Sequence, residues 1–250
     1  MQSSCIKEKG DKLNNYDKDK FVILLCAGPT ARKIKASEEY YTAGVNVTPK
    51  LIEKTNFWVI NDACYLKDIF PEKRHHIENV VMPQFPHTVN GVNFRPSAEN
   101  DYLSVTKGIV PKSVKVLPYN IQSARNFNLP YDQSFPFFEI KSSSEAAFRW
   151  LTFHGFRNFI TLGHDPAGGY HTSQHSRPTR SGGHEAVKVP IDNDRYQEVH
   201  DRMRKVIHET NSKWIRVVLP PEQTFQEQVL KSVRDTVYNN TGYAEVVINL

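Results

Sequence analysis

Phe21-Val-Ile-Leu-Leu-Cys-Ala27, followed at once by Gly28-Pro29-Thr30, decides the fold class. Seven consecutive apolar residues show neither the 3.6-residue period of a surface helix nor the alternation of a half-buried strand. A run this short is what a central strand covered on both faces presents. Gly28-Pro29 stops it, because neither residue continues the interior of a strand or helix. The same grammar recurs along the chain. Asn56-Phe-Trp-Val-Ile60 ends in Asn61-Asp62, Asn158-Phe-Ile-Thr-Leu162 ends in Gly163-His164-Asp165, and Trp214-Ile-Arg-Val-Val-Leu219 stops at Pro220-Pro221. Ala244-Glu-Val-Val-Ile248 closes the series. Val80-Val-Met82 and Val114-Lys-Val-Leu117 are weaker strands, each expected to halt at a proline.

Helices fill the intervals. Ser142-Ser-Ser-Glu145 has the form of a capping box for a helix through His154, with Ala147, Trp150 and Leu151 at helical spacing and Gly155 as its stop. Asp192 to Glu209 reads as a charged amphipathic helix, and a last one is expected around Gln223 to Tyr238. Strand, turn and helix in repetition predict an α/β fold: a doubly wound, mostly parallel sheet with helices on both faces. Residues 21–250 form one domain in this reading. Residues 1–20 are a mobile polar lead-in, 83–136 an irregular Pro- and Asn-rich insertion, and 164–184 a flexible lid.

Composition narrows the class. The chain has 250 residues, 39% of them apolar, including 14 Phe, 11 Tyr and 3 Trp, enough to bury a core and too many for a disordered chain. Twelve Gly, 15 Pro and three Cys exclude collagenous and disulfide-scaffold classes. No apolar run reaches bilayer length, and the N-terminus lacks the apolar core of a signal peptide. Cys26 and Cys64, placed in strand-like segments, read as reduced core residues, and a cytoplasmic setting is expected. A net charge of +5, with pI near 9.0, permits an anionic ligand or nucleic acid without requiring either.

The unusual residues stand at the carboxyl ends of the strands, where open α/β sheets bind ligands. Gly28 lets a backbone approach a phosphate or ribose closely, and Thr30 adds a hydroxyl. Neither the GxGxxG nor the GxxxxGK[ST] fingerprint is present. His164 to His184 holds four of the ten His, four of the twelve Gly, Arg177, Arg180 and a single acid, Asp165. That composition suits a hinged lid whose arginines meet phosphate and whose histidines exchange protons near neutral pH. The His171/His175 pair would need a helix to bind metal, which this stretch cannot form. Asp192-Asn193-Asp194 has the Asp-x-Asp form used to hold a divalent ion, but it also suits a helix N-cap. His75, His76 and His87 are expected to be solvated, and His200 and His208 to lie on an exposed helix face.

Taken together, Ala27-Gly28-Pro29-Thr30, Val59-Ile60-Asn61, the Ser142–Glu145 helix start and Gly163-His164-Asp165, followed by a His-containing lid, resemble the family-42 sialyltransferases and the related motility-accessory-factor glycosyltransferases. The resemblance covers about Phe21 to Pro221, with 83–136 unmatched. It implies a Rossmann-like fold that binds a nucleotide-sugar donor, with no cofactor and no essential metal. By it, Gly28, Pro29, Thr30 and Asn61 contact the nucleotide, Ser143 or Ser144 the donor, and Gly163 and Asp165 complete the site. His184 would be the general base, Tyr170 would assist the leaving group, and Arg177 and Arg180 would meet the phosphate. The family's Asn-Gly-Pro turn reads Ala27-Gly28-Pro29 here, and Pro166 follows Asp165 where the family has a tyrosine, so the likeness does not extend to the choice of sugar. A glycan or DNA carrying hydroxymethylated bases fits as acceptor. Two other functions remain open: a Mg²⁺-dependent pyrophosphokinase of the pterin type, using Asp192 and Asp194, and a non-catalytic nucleotide-binding module.

Overall fold

A computed structural model describes residues 13, 15–28, 30–73, 76–90, 93–165, 176–178, 184–186, 193–219, 223–237 and 242–247. In chain order the elements are β1 (Phe21–Leu25), β2 (Tyr40–Val45), β3 (Thr55–Val59), α1 (Cys64–Lys73), β4 (Ile77–Pro83), β5 (Thr88–Asn90), β6 (Asn93–Arg95), α2 (Tyr102–Thr106), β7 (Lys115–Ile121), α3 (Gln122–Asn126), β8 (Phe137–Phe138) and α4 (Ser143–Phe153). They continue with β9 (Asn158–Leu162), β10 (Ser176–Pro178), β11 (His184–Ala186), α5 (Asn193–Thr210), β12 (Lys213–Val218), α6 (Glu227–Val237) and β13 (Tyr243–Val247).

Nine strands form one all-parallel sheet in the order β13-β12-β9-β1-β2-β3-β4-β7-β8. The fold is α/β and Rossmann-like. The chain winds outward from β1 through β2, β3, β4, β7 and β8, then returns to the other side of β1 at β9 and continues outward through β12 and β13. The strand order therefore reverses between β1 and β9, and the crevice of a doubly wound sheet opens at such a reversal.

Both faces of the sheet are covered, which is why its strands read as continuous apolar runs. One face carries Val22, Leu24, Phe57, Val59 and Phe159 against Trp150 and Leu151 of α4 and Met203 of α5. On the other, Ile23, Leu25 and Ile160 meet Val229 and Leu230 of α6, and Trp58, Ile60 and Val80 meet Leu66 and Ile69 of α1.

Several expectations are corrected. Strand β2 was not read from the sequence, because Tyr40-Tyr-Thr-Ala-Gly-Val45 is neither a continuous apolar run nor an alternating one. Strand β7 lies inside 83–136 and belongs to the sheet, so that stretch is not wholly irregular. It also runs through Pro118 instead of halting before it. Asn120 donates its N–H at 2.7 Å to Pro136, on the β8 side. Two residues earlier Pro118 faces the same side, where β8 has not begun, so its missing N–H costs no ladder bond. Cys64 opens α1 and is not in a strand. The lead-in is partly docked. Leu13 is buried, and Tyr16 packs on Tyr41 and Phe57 and donates its hydroxyl to Glu78 at 2.9 Å. Burial first, and Glu78 second, push the Tyr16 phenol upward.

The Ser142–Glu145 cap forms as expected: Ser142 Oγ accepts the Glu145 N–H at 3.1 Å. Glu145 is wholly buried, and its carboxylate takes the Lys141 N–H at 2.8 Å, Arg149 Nε at 2.7 Å and Arg202 Nε at 2.8 Å, joining α4 to α5. Because both arginines keep contact with solvent, losing either should cost less than losing the carboxylate they share. Glu145→Ala is expected to destabilise by about 3 kcal/mol, a fall of roughly 6–12 °C in Tm, measurable by differential scanning calorimetry. Arg149→Ala should cost about 1 kcal/mol or less.

Candidate functional site

The turn after β1 and the turn after β9 are pressed together at the strand-order reversal. Gly28 donates its N–H to Gly163 O at 2.8 Å, and Cys26 donates to Leu162 O at 2.8 Å. A Cβ on Gly28 would run into the Gly163 carbonyl and lie 2.6 Å from Asp165 Oδ2. Gly163 has φ +69°, and a Cβ there would meet the Cys26 carbonyl and lie 2.8 Å from Ala31 Cβ. Both positions require glycine, one for space and the other also for conformation.

Asp165 fastens this contact. Its Oδ2 accepts the Thr30 N–H at 2.8 Å, and its Oδ1 accepts the Thr30 hydroxyl at 2.5 Å and Arg216 Nη2 at 3.2 Å. Arg216 also donates from Nε to His164 O at 2.6 Å and from Nη1 to Glu245 at 2.8 Å, so it ties the ends of β9 and β13 together. Thr30 and Asp165, singled out separately in the sequence, are thus partners of one another. With both oxygens engaged, Asp165 acts here as a positioning residue. Arg216 was missed by sequence reasoning. Its signal was an arginine inside an apolar strand, a residue rarely buried without a carboxylate.

Behind the clamp lies a buried aromatic cluster. His164 Nε2 and His200 Nδ1 are 3.4 Å apart with their rings stacked, and Tyr196 OH is 3.3 Å from His200 Nδ1. His200 is buried against Trp214 and Tyr243, which corrects its expected exposure. It lies on the α5 stripe formed by Val199, Met203, Val206 and Ile207, whose apolar spacing is masked by the charged residues between them. His208 is exposed as expected, and so is His76. Burial, then His200, then Arg216 pull the His164 pKa down to about 3, so its imidazole is neutral and is not a proton carrier near pH 7.

Further along the same edge, at the end of β3, Asn61 joins two groups. Its Nδ2 donates to Ser143 Oγ at 3.1 Å, and its Oδ1 accepts the Tyr119 hydroxyl at 2.5 Å. The resemblance set Asn61 and either Ser143 or Ser144 near one donor, and it is Ser143 that the structure brings into contact with Asn61. Ser144 instead lies 2.9 Å from Ser142, oxygen to oxygen. Tyr119 was missed because β7 was expected to end before it. Its phenol is pushed well upward, by burial first and by Asp62 second, and stays neutral.

Between these two groups, at the end of β2, stands Asn46, also missed with its strand. Two residues beyond the Leu25–Gly44 pair and one beyond Val45–Val59, it is level with Ala27 and Ile60. It takes a left-handed backbone, φ 52°, and its Oδ1 is buried without a hydrogen-bond partner. Among the described residues four buried side-chain atoms lack a partner. Three of them, Asn46 Oδ1, Asn120 Oδ1 and Ser123 Oγ, lie at the carboxyl edge, and Thr55 Oγ1 lies at the opposite end of β3. An unmade bond at a buried polar atom costs about 1–3 kcal/mol, and among the described residues most such atoms lie at this edge.

Comparison with protein-family models, with curated proteins and with solved structures finds no match to this chain. The site therefore has to be read from its own residues. Of the lid residues, Arg177 and His184 have backbone positions in the β10–β11 ladder, Arg177 opposite Glu185 and His184 opposite Pro178. Pro29, Tyr170, Arg180, His171, His175, His75 and Asp192 lie outside the described residues, and Asp194 is exposed in the first turn of α5. No group of three His, Cys, Asp or Glu side chains arranged to hold a metal occurs among the described residues. No helix among them is long and apolar enough to cross a membrane.

The low pKa of His164 sets a direction for pH dependence. Below about pH 6.5 an unfolded chain protonates this histidine while the folded one does not until about pH 3, so stability must fall as pH drops through that window. His200, also lowered, mainly by burial, adds to the effect. Urea denaturation of wild type and His164→Gln at pH 7 and pH 5 should show the variant losing less stability on acidification, by up to about 1.4 kcal/mol per pH unit. Equal losses would show that folding does not lower the His164 pKa.

Proposed function

We propose that the protein is a glycosyltransferase that takes a sugar from a nucleotide-activated donor bound along the carboxyl edge of the sheet. The observation carrying this reading is the set of unpartnered buried polar atoms spread along that edge from β2 to β7, Asn46 Oδ1, Asn120 Oδ1 and Ser123 Oγ. A nucleotide-sugar is a ligand of the right kind, since its base amino group and its sugar hydroxyls supply donors that Asn46 and Asn120 lack. The N-terminus of the eleven-residue α4, where Ser143 faces Asn61, would be a seat for a phosphate through the first N–H groups that Ser142 does not cap. The clamp Gly28-Thr30-Asp165-Arg216 would keep this edge rigid while the donor binds. The resemblance of the turn and strand-end motifs to family-42 sialyltransferases and their relatives supports the same donor class, used without a metal. A glycan or a hydroxymethylated base in DNA would serve as the acceptor hydroxyl, and the basic pI suits the second.

Thermal shift against CMP-, UDP-, GDP- and ADP-linked sugars tests this reading. One class should raise Tm by roughly 5–10 °C at a hundredfold excess over its Kd, and EDTA should leave turnover unchanged. Asn46→Ala should weaken nucleotide binding about tenfold, the value of one hydrogen bond to a buried acceptor. No shift with any of the four donors would refute the reading.

A further inference from the structure

The donors that converge on Asp165 are of the kinds that hold a phosphate. Its two oxygens take the Thr30 N–H at 2.8 Å, the Thr30 hydroxyl at 2.5 Å and Arg216 Nη2 at 3.2 Å. A backbone N–H from a glycine turn, a hydroxyl and a guanidinium together favour an anion. Here the anion belongs to the chain itself. The Asp165 side chain is only 4% exposed, and its Oδ2 lies 2.6 Å from where a Cβ of Gly28 would stand. The room that Gly28 leaves, expected from the sequence to admit a phosphate or ribose, is thus filled by Asp165 and the Gly163 carbonyl.

The chain after β1 agrees with this. In dinucleotide-binding sheets a helix follows the first strand, and its N-terminus seats the pyrophosphate at the reversal of strand order. Among the described residues no helix lies between β1 and β2. The connection passes instead through Ile34, which bridges Ile52 and Phe225. The Thr30 and Arg216 donors are spent on a carboxylate of the chain, and no described helix end replaces them. At the other end of the edge Asp62 lies 3.2 Å from His87 Nδ1, their side chains 21% and 30% exposed, which corrects the expected solvation of His87. There a ring nitrogen stands in place of the N–H, hydroxyl and guanidinium that converge on Asp165.

We infer that Asp165 is a built-in occupant of the phosphate position at the strand-order reversal. It keeps the anionic groups of a ligand out of the β1–β9 end and confines the donor's phosphates to the α4 end. The exclusion is of charge as well as of space, since a phosphate brought there meets an anion of its own sign. The placing of the donor rests on the reading of the edge as a nucleotide-sugar site; the occupancy itself does not.

The test uses the full chain with inorganic phosphate and formate, and chloride at matched ionic strength as control. Asp165→Ala vacates the position, while Arg216 keeps its bonds to Glu245 and His164 O. Formate or phosphate is then expected to raise Tm beyond any rise in wild type, by roughly 3–6 °C at a tenfold excess over its Kd. Calorimetry should find one phosphate site more than in wild type. Adding Arg216→Gln should weaken that site about tenfold or more, the value of one hydrogen bond to a charged group. An alanine variant that gains neither a site nor anion-dependent stability has lost a merely structural carboxylate, which overturns the proposal. An extra site that keeps its affinity in the double variant overturns it too. Asp165→Ser, which retains a hydroxyl for Thr30, is the second variant. Failure of both to fold with formate present throughout also counts against the proposal, because an external anion then cannot replace the internal one. For the donor, phosphate should compete with CMP, UDP, GDP or ADP no more strongly in Asp165→Ala than in wild type; stronger competition overturns the confinement. Wild type that binds none of these nucleotides brings down the donor reading, while the phosphate titration still decides the occupancy.

Discussion

Everything at the carboxyl edge depends on one close approach, the Gly28 N–H to the Gly163 carbonyl across the reversal between β1 and β9. It is possible only because neither residue has a side chain, and it brings Thr30 within reach of Asp165. A buried carboxylate with a backbone N–H, a hydroxyl and a guanidinium as partners is well compensated for leaving water. Through Arg216 the same carboxylate is linked to β13, so one contact between two turns fixes the relative position of four strands.

The edge is therefore asymmetric. Around β1, β9 and β12 the polar groups are paired with each other and the aromatic cluster of His164, His200, Tyr196 and Trp214 seals the space behind them. From β2 to β7 the polar groups are only partly paired, and acceptors point at nothing in the protein. The paired end gives rigidity, and the incomplete end is where the proposed donor would bind. The Asp62–His87 pair, largely buried, belongs to the incomplete end.

Much of the fold was legible because a doubly covered parallel strand is apolar throughout, and β1, β3, β9 and β12 each announce themselves in this way. Strand β2 was not legible, since its Tyr, Thr and Gly break the run while the sheet buries it all the same. With β2 went Asn46, whose buried Oδ1 has no hydrogen-bond partner. Gly28, Thr30, Gly163, Asp165 and Asn61 were singled out because strand ends in this architecture collect ligands, and Ser143 or Ser144 through the family resemblance. Their pairing was not found, because Thr30 and Asp165 are 135 residues apart and no local pattern encodes that contact. His200 and His87 were misjudged for a common reason: polar neighbours in sequence say little about what lies across the packing interface. Arg216 shows the reverse, a charge in an apolar strand whose partner can be inferred only once the strand order is known.

The central position of β1 also bears on how the chain is made. Its hydrogen-bonding groups on one side find β2 within about twenty residues, but those on the other wait for β9. A ribosome adding about 5–20 residues per second leaves that side of β1 open for several seconds or more, while the rest of the sheet assembles outward. During that interval Phe21-Val-Ile-Leu-Leu25 is a bare apolar edge, the kind of surface that pairs with other chains and that chaperones cover. The strand that names the fold is thus also the one most exposed to error before the fold is complete.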